Sequence, residues 1–454
     1  MSCAGFQPVS ISGFSGESHT SLISIIGLVG GLLLLTTLAL RGWNLFIAAP
    51  LCALIVGLTG GLPIFPGGSK PVIVTAYMDG FAGFVAAWFL MFLLGSIFGK
   101  FMEDTGSADS LARWIVERLG MQHAVAAVVI TCAILTYGGV SVFIVAFSVY
   151  PMALSLFKDA NLPRRFIPGT LAFGSVTFSM TSAGSPEIQN WIPIKYLGTS
   201  PYAAWQVSLA VAIFMAAVGF WWLKRMVKRA VANGEHFERR AGDPEVPERD
   251  YPHPAAGMLP LLVVLCFAFF FHESLAQYAL ILALGGGCLA IMAVNFRHFH
   301  DMPRAVNEGT TGALIAIGNT SAVVGFGTVA KASPAFAAAV SAMTGIPGNE
   351  LIGAAVAVTV IAGLTGSASG GLSIALPVLA PHYAETDVNP EQLHRISSIA
   401  SGALDSLPHN GYVVTTVRAI CGETHRSAYG PIAALTVAIP VVGLVLAIIL
   451  MQWI

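Results

Sequence analysis

The sequence predicts an all-α, polytopic membrane protein with about a dozen embedded segments. Only 10% of its 454 residues are charged and 56% are hydrophobic, whereas about 25% of the residues in a soluble domain are charged. The apolar runs are continuous, and a helix needs about 20 such residues to cross a bilayer. Strands of a transmembrane barrel would instead alternate apolar and polar residues, so these runs favour helices.

The embedded segments are the stretches without Asp, Glu, Lys or Arg. They cover 18–40, 43–69, 80–99, 119–157, 166–186, 196–223, 254–271, 274–296, 309–330, 332–349, 351–384 and 427–454, with a weaker segment at 396–420. Two of them are too long for one crossing, because 119–157 has 39 residues and 351–384 has 34. Each contains a glycine pair near its middle, where helices kink or unwind. These two stretches therefore predict hairpins or broken helices.

Both glycine pairs belong to a duplicated unit. The residues that match at separations of 230 to 232 are Gly138 and Gly370, Gly139 and Gly371, Ser141 and Ser373, Lys100 and Lys331, and Arg165 and Arg395. We place the two copies at about 80–200 and 310–430. Internal repeats with broken segments at corresponding positions indicate the binding site of a transporter.

The chain divides into six parts. They are N-terminal scaffold helices (1–79), a first repeat with a hairpin and a broken helix (80–223), a linker (224–253), further scaffold helices (254–308), a second repeat (309–430) and a C-terminal helix (431–454). The linker holds seven Lys or Arg and six Asp or Glu, and its first basic residues directly follow an apolar run. The positive-inside rule therefore places the linker in the cytoplasm.

The glycine breaks predict the substrate site. A helix that restarts inside the membrane presents free backbone N–H groups and a positive dipole end, which attract a carboxylate. The candidate substrate-binding residues are Thr136, Gly138, Gly139 and Ser141 at the first break and Thr365, Ser367, Ser369, Gly370, Gly371 and Ser373 at the second. Close packing of helices through small residues is the alternative interpretation.

Two polar tracts follow the breaks, and a proline interrupts each. The tracts are S-P-E-I-Q-N at 185–190 and D-S-L-P-H-N at 405–410. They supply Ser185, Asn190 and Asn410 as substrate-binding candidates, and Glu187, Asp405 and His409 as candidates for carrying a coupling proton. An ionisable residue at membrane depth is costly and indicates function. The alternative is that the tracts lie at the water interface.

Two lysines follow glycine-rich segments at matching positions. Lys100 ends G-S-I-F-G-K and Lys331 ends F-G-T-V-A-K. We expect them to compensate the charge of a bound carboxylate. The alternative is that both side chains reach out to the membrane surface.

Other chemistry is not indicated. A formal net charge of −1 provides no basic field for nucleic acid. The six cysteines are scattered without a C-x-x-C pair, and no zinc or phosphate-binding motif occurs. We therefore expect no cofactor, no metal site and no enzyme activity.

The motifs together resemble the gluconate permease (GntP) family of bacterial organic-anion symporters. They are T-Y-G-G-V-S-V-F, L-P-R-R-F-I-P, S-P-E-I-Q-N, G-F-G-T-V-A-K, L-T-G-S-A-S-G-G-L-S-I-A-L-P and S-G-A-L-D-S-L-P-H-N-G. The resemblance implies a proton-coupled, dimeric permease of the ion transporter superfamily. It also implies inverted repeats, re-entrant hairpins, and a scaffold separate from a moving transport unit. Gluconate-type members carry a His-Pro-rich tract where Glu187 stands here, so a smaller acid is as plausible a substrate.

The predicted function is secondary active import of a small organic carboxylate across the bacterial inner membrane. The substrate would be a gluconate-like or hydroxybutyrate-like monocarboxylate, moved with a proton by an elevator-type mechanism. The expected partners are the anion, the proton, the lipid bilayer and a second copy of the chain. A sodium-coupled symporter and an anion exchanger are the close alternatives, and a passive channel is a more distant one.

Overall fold

The computed structural model describes residues 22–66, 71–120, 123–240, 243, 250–346 and 350–453. Within these ranges the chain forms nineteen α-helices and no strands. In chain order, α1 to α10 are Leu22–Leu40, Leu45–Thr59, Ile73–Asp104, Ser107–Leu119, Ala124–Tyr137, Val142–Asp159, Ile167–Ala172, Ile192–Leu197, Trp205–Ala232 and Pro254–Leu275. The remaining helices, α11 to α19, are Ala279–Asn295, Met302–Lys331, Pro334–Thr344, Glu350–Thr365, Ala368–Tyr383, Pro390–Ser401, Gly411–Val414, His425–Ala433 and Ile439–Met451.

Seven helical stretches of the described chain are long and apolar enough to cross a membrane. They are Leu22–Ala39, Ile73–Asp104, Val142–Asp159, Trp205–Ala232, Pro254–His298, Met302–Lys331 and His425–Met451. The stretch Pro254–His298 is folded into two helices, α10 and α11, that pack side by side. Shorter apolar helices, among them α5 and α14, are too short to span the hydrocarbon layer alone. The predicted all-α, polytopic architecture is confirmed.

The order of elements in the first half is repeated in the second. A helix pair (α1–α2 or α10–α11) precedes a long helix (α3 or α12) and a shorter one (α4 or α13). A hairpin follows (α5–α6 or α14–α15), then a helix interrupted by the polar tract, and then a long helix (α9 or α18–α19). The repeated unit is thus longer than the sequence matches alone indicate, because the first helix pair belongs to it.

The two long helices α3 and α12 show how the halves are related. Gly309 near the start of α12 lies against Ile97 near the end of α3, while Gly80 near the start of α3 lies against Thr328. Equivalent helices of the two halves therefore run in opposite directions. This is the arrangement of an inverted repeat about an axis in the membrane plane.

The helices form two groups. Helices α1–α3 and α10–α12 pack mainly on one another, and we call them the frame. Helices α5–α9 and α14–α19 pack together as a second body, which we call the hairpin unit. The frame meets the hairpin unit chiefly where α12 packs on α15 and α3 packs on α6.

The described part of the linker is tied to the hairpin unit by ion pairs. The buried Arg164 pairs with Asp243 of the linker at 3.0 Å and with Glu423 at 3.2 Å. The neighbouring Arg165 pairs with Glu235 at 2.6 Å, and its hydrogen bonds hold the pKa of Glu235 below its usual range. This second pair is about one-third exposed, so it contributes little to stability.

Candidate functional site

The first hairpin turns at Gly138–Ser141, between α5 and α6. Gly139 has a φ of +95°, a left-handed conformation that side chains rarely adopt. The turn lies close to α10 of the frame, because Gly138 is against Leu261 and Gly139 is against Val264. On its other side Gly139 meets Pro186 of the first polar tract. The tip is therefore enclosed between the frame and its own polar tract.

The second hairpin turns at Gly366 and Ser367, between α14 and α15. The predicted break at the pair Gly370–Gly371 is wrong, because both glycines lie inside α15, where they allow close helix packing. Gly366 has a φ of +60° and lies against the ring of His409. The Asn410 side chain donates a hydrogen bond to the Gly366 carbonyl at 2.9 Å. Its oxygen accepts a hydrogen bond from the Val413 N–H at 2.9 Å. Asn410 thus fixes the hairpin tip to the start of α17.

A titratable residue occupies an equivalent position beside each of the two hairpin tips. Glu187 follows Pro186 and lies near the first tip, while His409 follows Pro408 and lies near the second. The inverted repeat therefore presents a carboxyl group at one hairpin and an imidazole at the other.

A small cavity of about 90 Å³ lies between the first tip and the frame. Its lining residues come from α3, α11, the first tip and the first polar tract. They are Met91, Phe92, Gly95, Ser96, Gly139, Ser141, Pro186, Glu187, Ile188, Leu280 and Leu284. The cavity brings together Gly139, Ser141 and Glu187, three of the residues predicted from the sequence.

One of three helix starts near the tips is left without a side-chain cap. Ser367 accepts a hydrogen bond from the Gly370 N–H and so caps α15. Asn410 caps α17 in the same way. Ser141 precedes α6 but makes no such bond within the described chain. The first N–H groups of α6 therefore remain available to an anion, at the edge of the cavity that Glu187 lines.

Comparison with known proteins decides the identity. The sequence model of the GntP family permeases matches residues 20–450. The chain belongs to the GntP permease family. It is 36% identical to YxjC, an uncharacterized transporter of Bacillus subtilis, over 91% of this chain and 95% of that protein. The resemblance seen in the motifs is confirmed, and the chain is a multi-pass permease of the inner membrane rather than a member of an enzyme family.

Other relatives match over shorter stretches. A gluconate permease of Pseudomonas aeruginosa is 30% identical over 24% of this chain and 23% of that protein. The high-affinity gluconate transporter of Escherichia coli is 28% identical over 32% of this chain and 31% of that protein. The crystal structure of the YdaH transporter of Alcanivorax borkumensis superposes with a TM-score of 0.50 at 14% identity, covering 95% of this chain and 98% of that one. This last similarity concerns the fold alone.

A larger cavity, of about 690 Å³, lies on the opposite side of the first tip of the permease, between α5, α9 and α10. Most of its lining is apolar, and its serine hydroxyls and the Tyr137 hydroxyl already make hydrogen bonds. The Tyr137 hydroxyl donates to the Ala183 carbonyl at 2.6 Å, and the Ser208 hydroxyl accepts from the Ala183 N–H at 2.8 Å. Although it is the larger of the two, this cavity is a poor carboxylate site.

The two lysines expected to compensate charge do not line either of these cavities. The Lys100 ammonium lies one turn beyond Ser96 and pairs with Glu103 at 3.0 Å and Glu308 at 3.3 Å. Lys331 is the last residue of α12 and its side chain is exposed. Because α3 and α12 run antiparallel, these lysines lie at opposite ends of the pair, away from a common site.

The remaining candidates are buried in or beside the hairpins. Asp405 is buried and accepts a hydrogen bond from the Ser406 hydroxyl at 2.9 Å. Thr365 donates to carbonyl groups of its own helix. Ser185 and Ser369 are buried near the tips. The buried hydroxyl groups of Thr136 and Ser373 have no hydrogen-bond partner within the described residues.

Sequence reasoning missed Arg395 as a site residue. It treated Arg395 only as the repeat partner of Arg165, although the structure places the whole side chain in the interior of the hairpin unit. An arginine next to a membrane-depth serine tract is a signal of function. The criterion of an ionisable residue within an embedded segment does not select Arg395, because it lies just outside the segment 396–420.

Within the described residues, no group of three or more His, Cys, Asp or Glu side chains is placed to hold a metal ion. The polar groups at the tips are hydroxyls, amides, isolated carboxyls and the imidazole of His409.

The contacts of Asn410 give a testable prediction. Asn410→Ala removes both the cap of α17 and the bond to Gly366, which should lower the free energy of unfolding by about 2 kcal/mol. Asn410→Asp keeps the capping oxygen but sets a carboxyl oxygen against the Gly366 carbonyl in a buried position, so we expect a loss at least as large. Thermal unfolding of the purified permease measures both. Equal stability of wild type and Asn410→Ala would contradict the assigned contacts.

Proposed function

We propose that this permease is a secondary active transporter that imports a small organic monocarboxylate together with a proton. One observation carries the proposal. The uncapped start of α6 and the Glu187 side chain share a cavity of about 90 Å³. An anion site and a titratable carboxyl group are thus confined in the same small space.

The start of α6 would bind the substrate carboxylate. Its free N–H groups and the positive end of the helix dipole favour a negative charge. Ser141 is half-buried there and adds a hydroxyl group. The cavity has room for several water molecules, which corresponds to a carboxylate and a few carbon atoms.

Glu187 would couple the proton to the anion. Two ionised carboxylates confined in such a cavity repel each other strongly, so one of them has to carry a proton. Substrate then binds only when Glu187 is protonated. After the substrate leaves on the cytoplasmic side, Glu187 releases the proton there, and the return of the empty carrier completes the cycle.

The substrate class follows from the relatives and from the cavity. Two relatives are named as gluconate transporters, which supports a gluconate-like acid. The small cavity and the carboxyl group of Glu187 favour a shorter acid, such as a hydroxybutyrate-like monocarboxylate. Citrate-like acids with two or three carboxylates would need more compensating positive charge.

Alternating access would occur by movement of the hairpin unit against the frame. The small cavity is lined by both bodies, so displacement of one past the other changes its access to water. In this proposal the frame contains the described residues of the predicted scaffold parts, 1–79 and 254–308, together with the rest of α3 and α12, and two copies associate as a homodimer. The basic start of the linker places it in the cytoplasm.

Sodium coupling is the second candidate. The buried hydroxyl groups of Thr136 and Ser373 have no hydrogen-bond partner in the described part of the chain. Hydroxyl oxygens are ligands that a sodium ion accepts, particularly beside unwound backbone carbonyl groups. Anion exchange uses the same site without a coupling ion. Uptake under different ion gradients distinguishes proton coupling, sodium coupling and anion exchange directly.

The test is uptake into proteoliposomes that contain the purified permease, with an inward pH gradient and no sodium. Labelled gluconate, 3-hydroxybutyrate, lactate and citrate are offered in parallel. We expect one monocarboxylate to accumulate and the accumulation to collapse with a protonophore. Accumulation only with a sodium gradient would replace the proton by sodium. Equilibration that neither gradient alters would overturn active transport.

A further inference from the structure

Arg395 of α16 is a buried cation held entirely by the other half of the chain. Its guanidinium group donates to the carbonyl oxygens of Ala203 at 3.0 Å, Thr181 at 2.8 Å and Pro201 at 3.0 Å. It also donates to the side-chain oxygen of Asn190 at 2.6 Å. The side chain has no solvent exposure. Four directed bonds therefore fix its position against the first polar tract.

All four acceptors are neutral, so nothing among them balances the charge. Of the described carboxylates, none lies within ion-pairing distance of Arg395, whereas the buried Arg164 has two such partners. A buried charge without a counter-charge is costly. Such a charge is retained where an anion compensates it during function.

The groups around Arg395 supply no permanent counter-charge. The titratable side chains on its own helix and on the helices packed against it are Lys195, Tyr196, Glu350, His382, Tyr383, Glu391 and His394, and the flanking segments add Glu187, Glu385, Asp387 and Asp405. His394 is committed to the Thr199 hydroxyl at 2.6 Å. Tyr137 of the first hairpin is also close to Arg395, and its hydroxyl donates to Ala183. None of these groups forms an ion pair with Arg395 in the described structure.

The position of Arg395 relates it to the first hairpin tip. Its partner Asn190 lies three residues after Glu187, and its neighbour Tyr137 directly precedes the glycine pair of the tip. Arg395 is thus linked to the first tip through Asn190 and Tyr137 without lining the cavity that Ser141 and Glu187 share. It can act there through its electric field and not by direct contact with the substrate.

We propose that Arg395 is a positioning residue that supplies the positive field for one negative charge at the first hairpin tip. In the empty carrier that charge is the Glu187 carboxylate. In the loaded carrier it is the substrate carboxylate, because Glu187 is then protonated. This inference rests on the proposed function and assigns the compensating role to Arg395 instead of Lys100 and Lys331. It predicts that the permease selects an acid over its neutral amide.

The test compares binding of each acid with binding of its amide to the purified, full-length permease, at an acidic pH at which Glu187 is protonated in the empty carrier and the free acid is still ionised. The probes are 3-hydroxybutyrate with 3-hydroxybutyramide, and gluconate with gluconamide. Wild type should bind the transported acid at least about tenfold more tightly than the amide, since a cation in the protein interior attracts the carboxylate and not the neutral amide. In Arg395→Gln we expect the ratio to fall severalfold, to the part that the start of α6 supports alone, while the affinity for the amide changes little.

Two further variants separate charge from structure. Asn190→Asp places a carboxylate on the guanidinium itself, so it should lower the preference for the acid as strongly as Arg395→Gln, and it tests the charge even if Arg395→Gln fails to fold. Arg165→Gln makes the same change at the repeat-equivalent arginine, which is partly exposed and already paired. Its acid-to-amide ratio should equal that of wild type.

Failure of the inference about Arg395 can be distinguished from failure of the proposed function. If wild type binds no monocarboxylate, the proposed function fails. If wild type prefers an acid and the full preference survives in a folded Arg395→Gln or in Asn190→Asp, only the inference about Arg395 is overturned. Equal loss of acid and amide binding in both variants would also overturn it, because that pattern indicates a structural role alone.

Discussion

A permease carrying Glu187→Gln is expected to exchange substrate across the membrane but to accumulate none under a pH gradient. The amide is close in shape to the protonated carboxyl group, so the cavity at the start of α6 remains competent to bind an anion. The glutamine side chain cannot release a proton, so the empty carrier and the loaded carrier no longer differ in protonation. Accumulation should fall at least tenfold, while exchange of labelled for unlabelled substrate stays within a few-fold of wild type.

Asp405→Asn is the matched comparison for this result. Asp405 is also a buried carboxyl group, but it does not line the cavity shared with Ser141. Both variants are measured in the same proteoliposomes, by counterflow and by uptake driven by an inward pH gradient. Intact accumulation in Glu187→Gln together with lost accumulation in Asp405→Asn would assign the proton to Asp405 and contradict the proposal.

The parts of the fold that the sequence predicted are those that depend on local pattern. A charge-free run of 39 residues exceeds one crossing whatever its neighbours are, so a turn within it was predictable. The structure places that turn at Gly138–Ser141. The repeat was likewise visible, but the glycine register was wrong: Gly139 lies in the first turn with a positive φ, whereas its match Gly371 lies inside α15.

The site depends on contacts that no local pattern contains. Arg395 finds its four acceptors about 200 residues away in the chain. Lys100 resembled a free cation in the sequence, yet two carboxylates hold it, one of them on α12. Ser141 and Ser367 both precede a helix, but only Ser367 closes a cap. These differences depend on side-chain rotamers and on contacts between the two halves of the chain.

Substitution of Gly371 by alanine is expected to destroy the second hairpin. Helices α14 and α15 approach so closely there that an added Cβ would lie 2.6 Å from the Ala362 Cα and 2.7 Å from its Cβ. The nearest atom belongs to the backbone, so the two arms would have to separate. Overpacking of this kind typically costs about 1–3 kcal/mol. We expect a lower unfolding temperature and almost complete loss of uptake.

Gly83→Ala is the matched control, because Gly83 is also a helical glycine but has no neighbouring atom within 4 Å of the added carbon. Alanine there should leave uptake unchanged and should raise helix stability by up to about 1 kcal/mol. Both variants are compared by thermal unfolding in detergent and by uptake in proteoliposomes. If Gly371→Ala were as stable and active as Gly83→Ala, the arms of the second hairpin could not be packed as tightly as described. The close glycine contact would then have no part in holding the tip beside Asn410.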